Sequence, residues 1–166
     1  MKKRLLVITA LTAFSLTVGC AIEKDMSVSN INDSFNGSIQ VESDGKQYEC
    51  ELLHTPEKVS VIKILKPDSL SGLTFSWEND KYNVAWKELS CEFNKEFIPD
   101  CSFMSNIVSV MNALHQKELL KNLPDDSDDN IYMGNCEAGE FKAIFNKDGS
   151  LKQINIDEKN IHVKMT

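Results

Sequence analysis

Apolar and polar residues alternate in short runs through most of this chain, and one longer stretch switches to a helical spacing. Between Gln47 and His54, Tyr48, Cys50 and Leu52 fall on one side, with Gln47, Glu49 and Glu51 on the other. Period-two alternation of this kind fits a half-buried antiparallel strand. The same test predicts strands over 35–41, 47–54, 59–65, 73–77, 82–86 and 89–93, and again over 131–136, 140–146, 151–157 and 160–165. Asp44-Gly45 and Asp148-Gly149 are hairpin signals, and Pro56, Pro67-Asp68-Ser69 and Asn79-Asp80 mark further turns. Between the two groups of strands, Phe103, Ile107, Val110, Met111 and Leu114 recur at spacings of three and four. That is one apolar stripe on a helix, predicted near 103–121, with Leu119 and Leu120 extending it. Pro99 with Asp100 or Ser102 suits its start, and Asn122 with Pro124 its end.

The fold class that follows is α+β, mainly β. A curved antiparallel meander sheet, open like a half-barrel, carries one long inserted helix packed on its concave face. Phe75, Trp77, Tyr82, Trp86 and Phe93 sit on neighbouring predicted strands, so they form an aromatic wall if their faces coincide. Such a wall has two uses. The helix stripe can plug it and close the core. Alternatively, sheet and helix enclose an apolar cavity, and Phe75, Trp77, Tyr82, Trp86, Phe103, Ile107 and Met111 touch a ligand.

The first residues follow a different rule. Lys2, Lys3 and Arg4 precede an apolar run from Leu5 to Val18, and Gly19 precedes Cys20. This is the layout of a secretory signal peptide, and the run is too short to span a bilayer comfortably. Thr17-Val18-Gly19-Cys20 resembles a bacterial lipobox, with Thr17 where Leu is usual. The resemblance implies a diacylated Cys20 and cleavage before it. The expected organisation is a signal peptide over 1–19, the lipidated cysteine and a flexible polar tether over 20–34, and a half-barrel domain over 35–166. The expected location is the extracytoplasmic face of a cell membrane, held by lipid.

Composition narrows the chemistry. The chain of 166 residues has a net charge of −7, which becomes −10 once the three cations of residues 1–19 are removed. An acidic surface argues against nucleic acid as a partner. Cys50, Cys91, Cys101 and Cys136 would remain, an even number that permits two disulfides in any of three pairings. Asp126, Asp128, Asn130 and Glu137 have the spacing of a calcium loop, but Ile131 stands where the sharp turn wants glycine. The segment therefore reads as a solvated turn, and no metal or cofactor is implied. His54, His115 and His162 are scattered, and no nucleophile elbow, metalloprotease helix or phosphate loop occurs. The chain does not read as an enzyme.

Strands, a helix after the sixth strand, then more strands resembles the half-barrel of the periplasmic lipoprotein carrier and the outer-membrane lipoprotein receptor. The resembling stretches are Lys66–Trp77, Tyr82–Trp86, the helix start from Pro99 to Leu114, and Gly139–Lys142. They are similar to segments of small lipoproteins of Clostridia-like bacteria with that fold. The resemblance implies an open barrel with a helical lid over a cavity for acyl chains. A protein fixed to a membrane cannot shuttle, so the expected role is a binding module for an apolar ligand or the acyl chain of another lipoprotein. The rival expectation is an interaction lipoprotein with a closed core that binds a protein partner.

Overall fold

Among the described residues, eleven strands form one antiparallel sheet that does not close, and one α-helix lies on it. The computed structural model describes residues 31–78, 81–94, 102–123 and 129–166. The expected signal peptide, Cys20 and Cys101 lie outside the described residues. No helix among the described residues is long and apolar enough to cross a membrane.

The strands are β1 (Phe35–Ser43), β2 (Lys46–Thr55), β3 (Val59–Lys66), β4 (Thr74–Glu78), β5 (Lys81–Trp86) and β6 (Leu89–Asn94), then helix α1 (Phe103–His115). After it come β7 (Lys121–Leu123), β8 (Asn130–Cys136), β9 (Gly139–Phe145), β10 (Leu151–Ile156) and β11 (Ile161–Met165). Their order across the sheet is β6-β5-β4-β3-β2-β1-β11-β10-β9-β8-β7. The first and last described strands therefore meet in the middle of the sheet, where β1 lies between β2 and β11. The two edges are β6 and β7, the strands on either side of α1 in sequence. The helix thus carries the chain from one edge of the open barrel to the other.

Local sequence explains the elements. Asp44 and Gly45 both have positive φ, 50° and 73°, the primed turn whose twist matches a two-residue hairpin. Alternation sends Ile39 and Val41 of β1, Cys50 and Leu52 of β2, and Ile62 and Ile64 of β3 inward, all buried. The other half of the sheet adds Phe141, Phe145, Ile154, Ile156 and Val163. Phe103, Ile107, Val110, Met111 and Leu114 close this core from the helix, and Ile107 and Leu114 are fully buried.

Two expectations are corrected. The helix ends at His115 rather than near 121, because Gln116 leaves helical geometry with ψ 67°. Leu119 is exposed, while Leu120 is buried against Gly134. There a side chain on Gly134 would collide with the Phe141 ring and meet Leu120 at 3.0 Å. The chain then becomes β7, which pairs with β8 from Lys121↔Met133 to Leu123↔Ile131. Covering the edge of β8 with backbone hydrogen bonds takes precedence over another helical turn. The second correction concerns the tether. Ile31 is buried in the core, the Asn32 N–H donates to Gly149 O at 3.1 Å, and Lys117 Nζ donates to Ile31 O at 3.0 Å. Residues 31–34 therefore belong with the domain. For three of the cysteines the question left open by the sequence is answered: Cys50, Cys91 and Cys136 are free thiols, placed on β2, β6 and β8. Burial pushes the Cys50 thiol up to about 12, so it is an inert core residue.

Candidate functional site

The Phe103–Leu114 stripe is packed into the core against the sheet. A cleft of about 450 Å³ opens between the opposite side of α1 and the sheet. Its floor is Ser105, Val108, Ser109, Asn112 and Gln116. At 100° per residue, this set is centred opposite the Phe103–Leu114 stripe. The walls are the β2–β3 turn from Thr55 to Ser60, Trp77 and Lys81 of β4 and β5, and the β8–β9 turn at Asn135–Glu137.

Strand register builds one wall. His54 pairs with Ser60, Ser60 with Trp77, Trp77 with Tyr82, and Tyr82 with Phe93. Directly paired residues share a face, so these five side chains form one row across β2 to β6. Trp77 and Tyr82 rings lie 4.9 Å apart, and Tyr82 and Phe93 6.0 Å. Burial pushes the Tyr82 hydroxyl up to about 12, so it stays neutral. Ser60 and Trp77 are the members of the row that reach the cleft.

Behind Ser60 sits His54, only 1% exposed. Its Nδ1 lies 2.8 Å from Ser60 Oγ, and its Nε2 has no partner among the described residues. Burial drives the imidazole down to about 4, against a smaller opposing pull from the Asp33 charge, so it is neutral at neutral pH. At the end of α1 the second histidine behaves in the opposite way. His115 Nδ1 is 2.7 Å from Asp33 Oδ2, and Nε2 is 3.8 Å from Glu57 Oε1. The hydrogen bond to Asp33 raises the His115 pKa. Burial alone would raise the Asp33 pKa, but that hydrogen bond and the Lys117 charge outweigh it and hold the carboxyl below its ordinary value. This pair fastens the segment before β1, and with Glu57 the β2–β3 turn, to the end of the helix.

The sequence-predicted ligand residues divide. Trp77 lines the cleft. Phe75, Tyr82, Phe103, Ile107 and Met111 are buried in the core cluster and do not line it. Trp86 is 36% exposed at the end of β5, where its Nε1 donates to Ser71 O at 3.2 Å and Lys87 stands over its ring. The apolar stripe of α1 packs against the buried part of the aromatic wall, and the cleft opens between Trp77 and the polar side of the helix. Sequence reading missed Ser60, His54 and that back. A signal existed: from Phe103 to His115 there is no Asp, Glu, Lys or Arg, in a chain that is 26% charged. A solvated helix face is ordinarily rich in charge. No group of three or more metal-ligating side chains occurs among the described residues.

No family model and no curated protein matches the chain. Among solved structures, it is similar to an uncharacterized conserved protein from Thermus thermophilus, at 10% identity and a TM-score of 0.49, over 79% of this chain and 74% of that one. It is also similar to a LolA superfamily protein from Nitrosomonas europaea, at 12% identity and a TM-score of 0.42, over 77% of this chain and 66% of that one. At such scores neither bears on the site, which is read from its own geometry.

Proposed function

We propose that the chain is a non-enzymatic binding module, held at the extracytoplasmic face of a cell membrane by lipid on Cys20, whose cleft takes an amphiphilic ligand. The observation that carries this reading is the space of about 450 Å³ over the uncharged outer face of α1, with Trp77 in its wall. Clefts of about 300–1,000 Å³ suit small ligands, and a few placed polar groups orient them. Trp77, Val59, Val108 and Ala113 offer contact to an alkyl chain, and Ser109, Asn112, Gln116 and Asn135 offer hydrogen bonds to a polar end. A wholly apolar ligand would leave those amides unsolvated, which is costly. An acyl chain is therefore bound with its polar end engaged.

Edge strand β6 supports a second reading. All six of its residues are exposed, Leu89 and Phe93 among them, and its outer edge is unpaired among the described residues. A protein partner could add a strand there.

One titration separates the two. The chain has two tryptophans, so Trp86→Phe leaves Trp77 as the sole emitter. Submicellar alkyl amphiphiles should shift Trp77 emission saturably, and Trp77→Phe in the wild-type background should remove most of the response. No saturable change with any amphiphile supports the partner reading. For the anchor, Cys20→Ser should release the protein from membrane to soluble fraction, because two acyl chains hold stably where one does not. Retention on the membrane overturns it.

A further inference from the structure

The His54–Ser60 pair says what the polar end of the ligand must be. His54 is buried and neutral at neutral pH, so one of its ring nitrogens carries hydrogen and the other accepts. Nε2 has no partner among the described residues. For buried backbone groups, an N–H without an acceptor is rarer than an acceptor without a donor. The same asymmetry in the imidazole puts the hydrogen on Nδ1, which donates to Ser60 Oγ at 2.8 Å. The hydroxyl proton of Ser60 is then not used by His54. Ser60 is 4% exposed, and it borders the cleft, so that proton has the cleft to turn to. The buried pair is a fixed hydrogen-bond donor at the wall, next to Trp77 in the cross-strand row.

The charges around it agree. Lys81 is engaged by Glu92 at 2.8 Å. Glu57 stands 3.8 Å from His115. Lys58, on the same turn as Ser60, lines the cleft without a carboxylate partner among the described residues. Glu137 also lines the cleft, from the β8–β9 turn.

We propose that the cleft selects amphiphiles with an anionic, acceptor-only head, a carboxylate on a single alkyl chain, held by the Ser60 hydroxyl and the Lys58 ammonium while the chain lies along Trp77. This rests on the binding-module reading and adds head-group selection to it. The test uses the Trp86→Phe protein at pH 8 with submicellar dodecanoate, dodecanol and dodecyltrimethylammonium, read by Trp77 emission. Dodecanoate should bind at least about tenfold tighter than dodecanol, the scale expected of hydrogen bonds to a charged group, and the cation weakest. Lys58→Met and Ser60→Ala should each weaken dodecanoate by about that factor and leave dodecanol unchanged. Lys58 is exposed, so its variant reports even if Ser60→Ala fails to fold. Equal binding of the three overturns the head-group inference and leaves the amphiphile module standing, as does preference for the cation. Binding of none overturns both.

Discussion

The inner and outer faces of α1 are built from one stretch of 13 residues and do opposite things. The inner face buries Phe103, Ile107, Val110, Met111 and Leu114 in the core of the half-barrel. The outer face carries Ser105, Ser109 and Asn112, and Gln116 follows just past the helix; together they floor an open cleft. Both faces lack the charge of a solvated helix. An apolar stripe is what a folding core demands, so its residues report on stability. An uncharged polar stripe is not demanded by the core, so the outer face is where binding is to be sought.

Substitutions on adjacent residues test that division most strongly. Met111 is 1% exposed, so Met111→Asp buries an unpaired carboxylate and should cost more than about 4 kcal/mol. Asn112→Asp, one residue on and facing the cleft, should stay within about 0.5 kcal/mol. Equilibrium urea denaturation of the two variants gives the comparison, and equal losses would mean that the helix faces are misassigned.

The two histidines carry the contrast into pH. His54 titrates at about 4 in the fold, below the ordinary 6.5. Below pH 6.5 the unfolded chain takes up a proton that the fold refuses. The stability is present in full above 6.5 and drains away down to about pH 4, by about 3 kcal/mol. Urea midpoints between pH 7 and 4 should therefore fall steeply in the wild type and less in His54→Gln. An unchanged slope in that variant would show that other groups dominate the acid response. His115 has the reverse sign. Its pKa is raised, so its contribution is complete below 6.5 and is lost as pH rises through the folded value. Its side chain is 43% exposed, so screening by solvent keeps the effect under about 1 kcal/mol. His115→Gln should flatten a small loss of stability on the alkaline side, seen at low salt and fading at high salt.

Much of the fold was legible because period-two alternation and turn residues are local signals. Ten of the strands and the buried helix stripe followed from spacing alone. The strand β7 did not, because Lys121-Asn122-Leu123 has no pattern of its own and is extended only through pairing with β8. The site was legible in Trp77 and little else. The aromatic wall was visible, but spacing cannot say whether the helix fills the space in front of it. The His54–Ser60 pair depends on the register of β2 against β3, which brings residues across a turn onto one face. The missing charge on α1 was visible in the sequence, and it points to the cleft once the helix's outer face is known.

One feature of the topology bears on mechanics. Strand β1 is the first strand among the described residues and is hydrogen-bonded on both sides, to β2 from Phe35↔His54 to Ser43↔Lys46 and to β11 from Ile39↔Met165 to Ser43↔Ile161. The residues just before it are pinned by Asp33 to His115 and by Lys117 to Ile31. A pull from the N-terminal side loads β1 along its own axis. Two ladders must then slip together in shear, whereas an edge strand would peel away one bond at a time. The domain is strung so that tension arriving from its N-terminal side first meets a strand held on both edges.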